Sequence, residues 1–217
     1  MHIDALELFA PDLAALHNFY ADRFGLPAEL ADARLAIQVG ATRLTFAQAP
    51  PGWTGRYHYA INIPANQFAA AQAWLAERVP LVVAADGIAT FFSHDWNADI
   101  CYYLDPAGNI GELIARHTLA SASDAPFGPA SLLAVSEIGL AVPNVPATVA
   151  DLTARLGIAT YGNTNDTFAP LGDEHGLFIV VREGRIWFPD TGIPAVPLPF
   201  TAAVRNAQGT GHRVKAP

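Results

Sequence analysis

Charge is scarce in this sequence. Only 15% of its 217 residues are Asp, Glu, Lys or Arg, and the twelve basic side chains form no stripe. A nucleic-acid partner requires clustered Lys and Arg, so that function class is excluded, and the net charge of −8 points the same way. No run of 18 apolar residues is present, and the N-terminus does not lead from a charged region into an apolar one. Neither a membrane span nor a secretory signal is expected. Cysteine is limited to Cys101, which rules out an internal disulfide and fits a cytoplasmic setting. Its apolar and aromatic neighbours make it a buried, inert thiol.

What is present is apolar residue in quantity, 52%, enough to bury a core in one or two domains. It is also patterned as a repeat. Residues 5–11, 58–64 and 137–143 are each a seven-residue run ending in Pro, with a large aliphatic three places earlier. These read as strands closed by Pro11, Pro64 and Pro143, which cannot donate to a ladder. A helical pattern follows each one, starting from Asp12, Asn66 and Asn144. Gly25 and Gly157 stand 14 residues past the first and third prolines as stop signals.

Further strands read at 34–39, 43–47, 89–92, 101–104, 110–114, 161–168 and 177–181, with 184–187 extending the last hairpin. The organisation expected is a βαβββ module over 1–53, a second over 54–117 and a linker over 118–131. A shorter βαββ unit follows over 132–188, then a Pro/Gly-rich extension over 189–217, strapped down or partly disordered. Alternation places Leu6, Leu8, Tyr59, Ile61, Ile138 and Leu140 on the helix-covered faces. Glu7, Phe9, His58, Asn62 and Glu137 lie on the opposite, more polar faces.

The stretch Tyr102–Arg116 concentrates the functional signal. An aromatic strand breaks at Asp105-Pro106-Ala107-Gly108, whose residues suit a turn, and resumes with Glu112 set among apolar neighbours. A carboxylate so placed is costly unless something positive or hydrogen-bonding faces it.

His58-Tyr-Ala-Ile, the βαβββ pattern and Tyr103-Leu-Asp-Pro-Ala-Gly-Asn-Ile-Gly-Glu112-Leu together resemble the vicinal oxygen chelate superfamily. That group includes glyoxalase I, bleomycin-resistance proteins, fosfomycin-resistance enzymes and extradiol dioxygenases. The resemblance covers about residues 1–117 and implies an α+β fold. Its tandem βαβββ modules form a curved, cup-shaped mixed sheet with helices on the outside. It also implies a divalent metal (Zn, Fe, Mn or Ni) held by His58 and Glu112, acting as a Lewis acid on two neighbouring substrate oxygens.

The ligand positions of the first module hold Ala5 and Thr45, so two of the usual ligands are missing. Glu7 is a candidate for proton transfer, with pairing to Arg43 or Arg56 as its alternative. His94 is a further candidate from outside the strands. Glu137 occupies the equivalent ligand place in the third unit, near a second site. Phe9, Asn62, Trp96 and Tyr103 are expected to line the cleft and contact the substrate. Two functions stay open: a glyoxalase-like lyase or isomerase, or a dioxygenase, acting on a small molecule with adjacent oxygens; and a metal-free protein that sequesters an aromatic or cationic compound. A third reading gives the extra half-module to a homodimer or partner surface. No nucleic acid or membrane partner is expected.

Overall fold

The computed structural model describes residues 1–216; Pro217, the end of the expected extension, lies outside them. The first module is β1 (His2–Ala10), α1 (Leu13–His17), β2 (Ala28–Ala31), β3 (Arg34–Val39) and β4 (Thr42–Gln48). The second is β5 (His58–Asn62), α2 (Phe68–Ala76), β6 (Thr90–Ser93), β7 (Ala98–Leu104) and β8 (Ile110–Arg116). The third unit has β9 (Ala134–Val142), α3 (Val145–Leu156), β10 (Phe168–Asp173) and β11 (Gly176–Arg182).

Local chemistry accounts for the helix ends. Asp12 and Asn144 accept from the backbone N–H groups of Ala15 and Ala147, and Gly157 closes α3 in the left-handed conformation. After His17 the first helix widens into π-helical turns over Asn18–Arg23. The second helix starts later than its pattern suggested, because the Asn66 amide is engaged by Ser123 instead of capping.

The tail is strapped down by strands that its Pro/Gly-rich sequence did not announce. Phe200–Arg205 (β12) and Gly211–Ala216 (β13) form a hairpin, and β12 runs antiparallel to β1. Phe200, Ala202 and Val204 bury while Thr201 and Ala203 stay partly exposed, the period of a one-sided strand. Residues 161–168 are mostly loop, closed by an isolated bridge from Asn165 to Phe168, and 184–187 form a turn bridged from Ile186 to Pro194.

Two mixed sheets result. The first has the order β13-β12-β1-β4-β3-β2 and the second β10-β11-β9-β5-β8-β7-β6. The fold is α+β and curls as the modular pattern implied, but the first two modules do not close one cup together. The second module closes with the third unit through the antiparallel β5–β9 pair, and the first with the C-terminal hairpin. The helix-facing sides of both sheets share one apolar core, joining Leu6, Leu8, Phe46, Tyr59 and Ile138 to Leu16, Leu75 and Leu152. Thr42 ties the sheets together: its hydroxyl donates to the Ile3 carbonyl at 2.7 Å and accepts from the Val135 N–H at 3.1 Å. A second apolar cluster lies on the inner face of the second sheet and takes in Trp187, Ile193 and Ala195 from the loop after β11. No helix among the described residues is long and apolar enough to cross a membrane.

Candidate active site

The curl of the second sheet encloses a cavity of about 340 Å³. His58, Glu112 and Glu137 lie along its lining, from β5, β8 and β9. Register brings them together. Ala60 of β5 is flanked by Glu112 on one side and Glu137 on the other, and His58 stands two residues earlier on the same face. All three are buried, and one donor atom from each lies within 4.8 Å of the others. His58 Nε2 and Glu112 Oε2 are 3.0 Å apart.

Arg116, also fully buried, makes an ion pair with Glu137. Its Nε donates to the Asn62 side-chain oxygen at 3.2 Å, and its guanidinium lies 5.3 Å from the Trp96 ring centroid. Burial raises the Glu137 carboxyl, and the Glu112 charge adds to the effect, while Arg116 pulls the other way. Four buried polar atoms have no partner here: His58 Nδ1, Glu112 Oε1, Glu137 Oε2 and Arg116 Nη1. Groups left so are costly, and three of the four belong to residues that line the cavity. One imidazole and two carboxylates with unfilled oxygens are a donor set that fits a divalent metal.

The walls are aromatic: Phe91, Trp96, Tyr102, Phe168, Trp187 and Phe188. Trp187 stacks on His58 with centroids 4.9 Å apart, and it fits because position 139 is glycine. A Cβ there would come within 2.6 Å of the indole. Asp95, Asn163 and Arg185 are also among the lining residues.

The structure gathers some of the expected residues and separates others. His58, Glu112 and Trp96 share the cavity, and Glu137 joins this same site, not a second one. Asn62 sits behind it, holding Arg116 and donating to the Glu174 carbonyl at 2.9 Å.

Glu7 is not in the cavity: β1 belongs to the other sheet, and Glu7 accepts both arms of Arg34 at 2.9 and 3.3 Å instead of meeting Arg43 or Arg56. Phe9, on the same strand, packs on Trp53 with centroids 5.7 Å apart. Tyr103 points the other way, into the core beside Phe19 and Phe24. It pairs with Gly111, over which its ring lies, and Tyr102, paired with Glu112, takes the wall instead. Counting residues back from the Asp105–Asn109 turn gives this parity. His94 is exposed and leans on Phe92. Cys101 is buried, its thiol pushed up to about 12 by desolvation. Arg116 was overlooked, though it lies four residues from Glu112 on the same strand face.

No protein-family model and no curated protein matches the sequence. Solved structures do match by shape. A protein from Bacillus subtilis subsp. subtilis str. 168, described only provisionally as a dioxygenase, aligns over 83% of this chain. The TM-score is 0.60 and the identity 17%, and the chain spans 63% of that protein's length. Glyoxalase I from Zea mays aligns over 83% of this chain and 66% of its own, with TM-score 0.52 and 16% identity. Its V278E mutant aligns over 99% of this chain and 92% of its own, with TM-score 0.53 and 14% identity. The feature shared with these proteins is the fold.

Proposed function

We propose that this chain, which has the vicinal oxygen chelate fold, is a metal-assisted enzyme acting on a small molecule with two neighbouring oxygens. The observation that supports this is the meeting of His58, Glu112 and Glu137, with their unpartnered atoms, inside an aromatic-walled cavity. A divalent ion (Zn, Fe, Mn or Ni) held by these three residues supplies Lewis acidity for negative charge developing on a substrate oxygen. The remaining work belongs to the chain. Trp96, Tyr102, Trp187 and Phe188 exclude water and orient a flat substrate. Carboxylate oxygens of Glu112 and Glu137 accept or return a proton within the cavity, a role Glu7 cannot fill from the other sheet. Arg116, braced by Asn62, fixes the orientation of Glu137. A lyase, an isomerase and a dioxygenase are all served by this arrangement.

A second reading is favoured by a specific observation. The His58–Glu112 contact and the Arg116–Glu137 ion pair already answer much of the site's charge without an ion. On that reading the cavity sequesters an aromatic compound between Trp96 and Trp187. Metal analysis of the purified protein and of His58→Ala separates the two. About one ion per chain, lost in the variant, supports the enzyme. Negligible metal in both, with saturable quenching of Trp96 by planar amines, overturns it in favour of sequestration.

A further inference from the structure

The first sheet repeats the geometry of the second with different residues at the decisive places. Glu7 of β1 is flanked by Thr45 of β4 and Thr201 of β12, as Ala60 is flanked by Glu112 and Glu137. Ala5 stands two residues before Glu7, as His58 stands two before Ala60. The three cation-seeking side chains of one cup are thus replaced by Ala5, Thr45 and Thr201 in the other. These small residues are partly exposed and line a hollow of about 290 Å³.

Positive charge surrounds that floor. Arg213, Ala203, Ala5 and Arg43 occupy one rung across four neighbouring strands. Strand spacing puts the two arginine backbones about 14 Å apart, so their long side chains can converge over the alanines between them. Among the described residues, neither Arg43 nor Arg213 has an ion-pair or side-chain hydrogen-bond partner. The Glu7 charge is answered by both arms of Arg34, and among the described residues no other acid lines the hollow. In a chain of net charge −8, this concentration of unpaired guanidinium is a local reversal of sign.

We infer that the open face of the first sheet is a second ligand site, specific for a compact dianion: a phosphate, or a molecule with paired carboxylates. Arg43 and Arg213 grip it from opposite sides through charge-assisted hydrogen bonds. The Thr45 and Thr201 hydroxyls donate from below, and Ala5 and Ala203 leave it room. The site is the electrostatic inverse of the cavity in the second sheet and does not depend on what that cavity binds.

Calorimetric titration with inorganic phosphate and with succinate, at constant ionic strength set by chloride, tests this. Wild type is expected to bind one or both saturably. Arg43→Gln and Arg213→Gln each weaken binding by about tenfold or more. Arg185→Gln, whose arginine lines the other cavity, leaves it unchanged. All three positions are exposed, so circular dichroism should show intact folds. Heat no greater than for chloride, or affinity indifferent to Arg43 and Arg213, overturns the inference. Affinity lost with Arg185 instead would place the anion in the other cavity, which overturns it equally.

Discussion

Tyr102 stands directly across the β7–β8 ladder from Glu112, while its neighbour Tyr103 stands across from Gly111 and turns into the core. Adjacent tyrosines therefore do different work. Tyr103→Ala empties a fully buried space and is expected to cost about 3–5 kcal/mol in urea unfolding, with ligand quenching of tryptophan fluorescence intact below the transition. Tyr102→Ala instead removes a wall of the cavity and weakens ligand quenching of tryptophan fluorescence. If both variants behaved alike on both measurements, the parity described here would be wrong.

The Arg116–Glu137 ion pair is buried on both sides. Removing one member strands the other charge away from water. Arg116→Met is predicted to lower stability by about 3–5 kcal/mol, and adding Glu137→Leu recovers much of that loss. A double variant no more stable than Arg116→Met would argue that the arginine acts through packing alone.

Gly139 makes room for Trp187 against His58. Gly139→Ala forces the indole to shift, so the His58 ring protons lose much of their ring-current shift in NMR spectra. Ligand affinity should fall with it. An unchanged His58 resonance would show that the stacking survives the added methyl.

Asp105 couples the hairpin turn to pH. Burial pushes its carboxyl from 3.8 up to about 6, against hydrogen bonds from Asn109, Ala107 and Tyr59 that pull it down. A group whose pKa rises on folding contributes its full stability below the unfolded value and loses it as pH rises through the folded one. Between about pH 4 and pH 7, wild type should lose roughly 3 kcal/mol relative to Asp105→Asn. Parallel stability curves for the two proteins would contradict the assignment.

The inward faces were legible because a strand alternates strictly: His58 and Tyr59, or Glu112 and Leu113, cannot share a side. The cavity's far wall was not legible in the same way. Nothing local to β5 says that β9, beginning 76 residues after it, will pair with it, so Glu137 could be flagged without being placed. The same gap misplaced Glu7 and Phe9, whose facing was right but whose sheet was wrong. The hairpin from Phe200 to Ala216 was hidden by the prolines before it, although its alternating burial was written in Phe200, Ala202 and Val204.

The pairing of β12 with β1 joins His2 to Arg205, at opposite ends of the described chain. During synthesis the first strand therefore waits, one edge bare, until nearly two hundred further residues have emerged. The second sheet draws only on residues 58–182 and has no such delay. A ribosome-bound nascent chain should accordingly acquire protease resistance over residues 58–182 first and over β1 last.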